Sequence, residues 1–116
     1  MENYRELIVW QKAMDLAETI YRLSEKLPDK ERFALSDQIR RAAISIPSNI
    51  AEGYGRNYTK EYVHFLKMAR GSKNELETQL LLCVRLGFLS ETDIKQALEF
   101  CDEIGRMLNA LIIKLV

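Results

Sequence analysis

Residues 90–115 read SETDIKQALEFCDEIGRMLNALIIKL, and their spacing decides the fold. Ser90 and Asp93 match a capping box, in which each side chain accepts the other residue's backbone N–H, with Asp93 a shorter stand-in for Glu. Leu89 and Ile94 are placed for a hydrophobic staple across that cap. Behind it, Ile94, Leu98, Cys101, Gly105, Leu108, Ile112 and Leu115 keep an unbroken heptad seam, with Ala97, Ile104 and Leu111 beside it. Lys114 in the last turn suits the helix dipole. A helix with one long apolar seam must bury it against other helices.

Working back along the chain, three more such helices appear. Thr59 is placed as the N-cap of a helix reaching Leu86, with Gly87 as its stop. Its apolar stripe is Tyr62, Phe65 or Leu66, Ala69, Leu76, Leu80 and Cys83, with Val63 and Met68 off the stripe. Gly71-Ser72 in the middle costs about 1 kcal/mol of helix propensity and predicts close approach by a neighbour. Ser36 is placed as the N-cap of a further helix, with Ile39, Ala42 or Ala43, Ile46 and Ile50 inward. Pro47 inside it frees the carbonyl of Ala43, and Ser45, Ser48 and Asn49 are placed to satisfy freed groups. Gly53 and Gly55 close it, with a left-handed C-cap expected.

The first helix runs from about Glu6 to Leu27 and stops at Pro28. Leu7, Trp10, Met14, Ala17, Tyr21 and Leu23 or Ser24 form its stripe, widened by Ala13, Leu16, Ile20 and Leu27. Four helices with short connections predict an all-α, antiparallel up-down-up-down four-helix bundle, one domain over residues 1–116.

The 116 residues carry 17 Lys plus Arg against 17 Asp plus Glu, with 47% hydrophobic residues. A zero net charge argues against a uniformly basic nucleic-acid binder and against a polybasic membrane anchor. No apolar run approaches the roughly 20 residues of a membrane span. The polar start Met1-Glu2-Asn3-Tyr4-Arg5-Glu6 does not read as a signal peptide, and the 2 Cys read as reduced thiols, so a cytoplasmic location is expected.

Catalytic and metal chemistry find little support. Glu61 and His64 have the Glu-x-x-His spacing of carboxylate-bridged di-iron sites, but those sites need the motif twice, and this chain has 1 His. Cys83 and Cys101 lie on core-facing stripes and read as small apolar fillers. Gly53-Tyr54-Gly55 lacks the Lys and Ser/Thr of a phosphate loop. No enzyme activity, cofactor or metal is expected.

Charge is instead segregated along the chain. From Arg40 to Lys73 stand seven basic residues (Arg40, Arg41, Arg56, Lys60, Lys67, Arg70, Lys73) against Glu52 and Glu61. From Glu75 to Glu103 seven acidic residues face only Arg85 and Lys95. Lys60, Lys67 and Arg70 share one edge of the third helix, and Arg56 enters it from the loop with Tyr54 and Tyr58 interleaved. Such an edge suits phosphate contact and base stacking. It equally suits pairing with the acidic half of another subunit. Leu80 to Leu89 is apolar nearly all round, which predicts self-association.

Trp10-Gln11-Lys12-Ala13-Met14-Asp15-Leu16-Ala17, the block Asp37 to Gly53 around Pro47, Ala69-Arg70-Gly71-Ser72 and Glu75 to Leu80 together resemble a known family. It is that of the bacterial four-helix-bundle proteins encoded in intervening sequences of 23S ribosomal RNA genes, labelled ribosomal by association. The resemblance covers nearly the whole chain and implies a homopentamer. The family is also similar to the accessory protein of diversity-generating retroelements, a basic pentameric barrel that works with a reverse transcriptase and nucleic acid. By that analogy Arg40, Arg41, Arg56, Lys60, Lys67 and Arg70 are candidate RNA contacts. The implied partners are further copies of the chain, with RNA or a nucleic-acid-processing protein. The competing reading is a homo-oligomeric protein-interaction scaffold without nucleic-acid binding.

Overall fold

A computed structural model describes residues 3–116, so Met1 and Glu2 of the polar start lie outside the described residues. A short 3-10 turn at Tyr4–Glu6 precedes α1 (Ile8–Ser24), and a second at Asp29–Glu31 leads into α2 (Leu35–Tyr54). Then follow α3 (Thr59–Arg85) and α4 (Glu91–Leu115). Among the described residues there is no strand.

Side-chain contacts fix the topology. Lys12 and Glu103 pair at 3.2 Å and Lys26 and Asp93 at 2.9 Å, so α1 runs antiparallel to α4. The hydroxyls of Ser45 and Ser72 meet at 2.9 Å, and Arg70 donates to Asn109 Oδ1 at 2.8 Å, which sets α2 against α3 and α3 against α4. Arg40 donates to Ser24 Oγ at 3.3 Å, closing α1 on α2. The α1–α3 and α2–α4 pairs are therefore the diagonals of an up-down-up-down bundle. Between them Leu16, Ile20, Ile39, Ile46, Ile50, Leu66, Leu76, Leu80, Ile104 and Leu108 are fully buried in one hydrophobic cluster.

The helix ends follow local chemistry in some places and not in others. At α4, Asp93 N–H donates to Ser90 Oγ at 3.0 Å and Ser90 N–H to Asp93 Oδ2 at 2.9 Å, completing the capping box. Leu89 and Ile94 are both buried there. Gly87, at φ +79°, ends α3. Phe88 N–H donates to Cys83 O at 2.9 Å and Gly87 N–H to Val84 O at 3.0 Å, the paired bonds of a Schellman stop.

The starts of α2 and α3 differ from expectation. Ser36 faces inward and is buried, while Leu35 N–H reaches Glu31 Oε1 at 3.4 Å. The 3-10 turn before α2 thus brings in a carboxylate that serves the helix start in place of Ser36. Thr59 is the first residue of α3, whose boundary residue Tyr58 is extended and makes no side-chain cap bond.

Several interior positions also differ. Gly55 ends α2 at φ −79°, in the right-handed region, so no left-handed cap forms there. Gly53 is instead a packing glycine: a Cβ on it would stand 2.7 Å from Phe65 Cβ and 3.2 Å from Tyr62 O. Gly71 has nothing within 4 Å of a Cβ position, so close approach falls at Gly53 and not at Gly71. Val63 is a core residue, whereas Met68 is exposed. In α1 the inward stripe is Val9, Ala13, Leu16, Ile20 and Leu23, and Met14 and Tyr21 are exposed. Pro47 lies within a continuous α2, and Asn49 Nδ2 donates to Ser45 O at 2.8 Å and Ser45 Oγ at 2.9 Å. With Ser72 these groups form a polar clasp between α2 and α3.

Candidate nucleic-acid interface

The spacing of Lys60, Lys67 and Arg70 puts them on one edge of α3, and packing turns that edge toward α4. Lys60, His64 and Lys67 line an open groove of about 480 Å³ with Thr59, Val63, Leu115 and Val116. Val63 is buried beneath it, and Leu115 and Val116 close it from the end of α4. One turn further along, Arg70 is held by Asn109. Among the described residues, Lys60, Lys67 and Arg70 have no carboxylate within ion-pair distance. Lys73, next on the edge, is engaged: it pairs with Glu77 at 2.7 Å and lies over Gly105.

The remaining candidates are elsewhere. Arg56 turns to the α2–α3 side, 4.8 Å above the Phe65 ring, with Glu52 at 2.9 Å and Glu61 at 4.0 Å. Two carboxylates outweigh its single charge. Tyr54 is half-buried, edge-on to Tyr62 at 5.9 Å, while Tyr58 is exposed. Arg40 is half-buried on the α1 side, 5.9 Å above the Tyr21 ring. Arg41 is exposed, 4.0 Å from Asp37. Both lie roughly 20 Å along α2 from its C-terminal end. The structure therefore joins three of the six candidates and separates the others.

His64 is the groove residue that sequence reasoning misses as a site, because a single His in a chain bears first on metal chemistry. Its position four residues after Lys60 and three before Lys67, one face of a helix, is the signal that finds it. Among the described residues no group of three or more His, Cys, Asp or Glu could hold a metal ion. The thiols are buried: burial pushes Cys83 up, and pushes Cys101 up to about 12 with Glu77 adding to the effect.

Apolar surface is left uncovered on two faces. Leu81, Leu82 and Leu86 are about half exposed, and Leu81 lines a groove of about 630 Å³ between α3 and α4. Trp10, Met14, Ala17, Ile44 and Pro47 line another of about 350 Å³ between α1 and α2. No helix among the described residues is long and apolar enough to cross a membrane.

These features define an all-α four-helix bundle with a segregated cationic edge and uncovered apolar faces. The chain belongs to the 23S rRNA-intervening sequence protein family, whose model matches residues 5–110. It is similar in structure to a protein of unknown function from the S23 ribosomal protein family of Bacteroides thetaiotaomicron VPI-5482. The two are 26% identical with a TM-score of 0.84, over 90% of this chain and 98% of that one. Neither comparison points to a catalytic family. No curated protein matches the sequence.

Proposed function

We propose that the protein is a non-enzymatic, homo-oligomeric nucleic-acid-binding accessory protein of the cytoplasm, with RNA as its preferred ligand. The observation that carries this reading is that Lys60, Lys67 and Arg70 share one edge of α3 and, among the described residues, have no carboxylate within ion-pair distance, while Arg56 before them and Lys73 after them are paired. Unpaired cations along one edge keep their full attraction for phosphate, and binding them releases counterions. The exposed leucines of α3 and the α1–α2 groove support self-association, and the family resemblance implies five subunits. Repeating the edge around an assembly multiplies phosphate contacts. Arg40, Arg41 and Arg56 enter as secondary contacts, since each is engaged within its own subunit.

The test is binding of labelled structured RNA and duplex DNA of equal length at three salt concentrations, with mass by light scattering. A salt slope of roughly 0.7 to 0.9 per phosphate neutralised, with RNA preferred, is expected from an intact oligomer. Absent or salt-independent binding by an intact oligomer overturns the reading. It would favour the scaffold alternative, for which the uncovered apolar faces are the supporting observation.

A further inference from the structure

We infer that the groove between the start of α3 and the end of α4 seats an unpaired nucleotide, its base against His64 and the apolar floor and its phosphates on Lys60 and Lys67. The inference rests on the nucleic-acid reading and deepens it, because it makes the ligand single-stranded at this point.

The groove is not simply cationic. Its floor is Val63 and Leu115, with Val116 at the rim, and only its sides carry charge. A phosphate alone would leave that floor uncovered, as would a duplex, whose bases are stacked inside and whose outer surface is backbone. An unstacked nucleotide has both parts, an anionic backbone and a flat face that gains by leaving water. The order along α3 matches it. Lys60 and Lys67 are roughly 10 Å apart along the axis, and His64 stands between them. Its ring is exposed and, among the described residues, supplies the only aromatic surface lining the groove. The volume, about 480 Å³, accommodates one base and sugar with room for water.

Three probes of equal length separate the possibilities by fluorescence anisotropy on the intact protein: an ordinary single strand, an abasic single strand with the same phosphates, and a duplex. The ordinary strand should bind about fivefold more tightly than the abasic one and more tightly than the duplex. In His64→Ala, an exposed position whose loss leaves the core intact, the ordinary-to-abasic ratio should fall toward one. Equal affinity for ordinary and abasic strands, a preference for duplex, or an unchanged ratio in His64→Ala overturns the groove while leaving the nucleic-acid reading in place. No salt-sensitive binding of any of the three overturns both.

Discussion

Gly53 and Phe65 are packed so closely that a methyl group on Gly53 would stand 2.7 Å from the Phe65 Cβ. The Tyr62 carbonyl lies 3.2 Å from the same point, so the obstruction includes backbone and cannot swing aside. Gly53→Ala should therefore destabilise by about 1–3 kcal/mol through overpacking, despite the gain in helix propensity. Gly71→Ala, which meets nothing within 4 Å, should stabilise by roughly 0.5–1 kcal/mol. Urea unfolding of the two variants checks the pair, and the opposite signs are the diagnostic outcome.

The α4 cap carries a pH dependence. Backbone hydrogen bonding with Ser90 holds the Asp93 carboxyl below the usual carboxylate range, and Lys26 adds to the effect. A depressed folded value means the stability is present above the unfolded-state value near ~4 and is lost as pH falls through the folded one. Asp93→Asn keeps a cap acceptor but no charge, so its urea midpoint should fall less than that of the unmodified protein on acidification from about pH 5 to pH 2. Ser90→Ala should cost about 1 kcal/mol at neutral pH.

Neither thiol should react in the folded protein. Cys83 and Cys101 are both buried, and Cys101 is pushed up to about 12. The reactive thiolate is therefore scarce at pH 8 and shielded from reagent. A disulfide reagent should label neither residue natively and both in guanidinium. Native labelling faster than unfolding would contradict the packing around α4.

The cationic edge predicts unequal roles for residues that look alike in sequence. Lys67→Glu should weaken nucleic-acid binding about tenfold or more near ~0.1 M salt and lower the salt slope by about 0.7–0.9 for each phosphate no longer neutralised. Arg56→Ala should change affinity less than about twofold, because Glu52 and Glu61 already offset its charge. Both exposed variants should keep the helical circular dichroism of the parent.

What the sequence determined by itself was local or periodic. The Ser90–Asp93 box, the Gly87 stop and the seam of α4 depend on atoms a few residues apart or on a repeat of 3.6, so the four-helix bundle was legible before any contact was known. The tertiary structure decided rotation and company. In α1 two neighbouring apolar stripes compete, and only packing against α2 and α4 chose Ala13, Leu16 and Ile20 for the core and left Met14 and Tyr21 outside. Which glycine meets a neighbour, whether Ser36 caps or is buried, and whether a cation is answered by a carboxylate are also relations between elements. Arg56 and Lys60 are four residues apart in the chain, yet one is held between two carboxylates on the α2 side and the other opens on a groove beside α4. Charge along a sequence does not determine where it acts, because attraction falls with distance in space and each helix fixes its phase only against its neighbours.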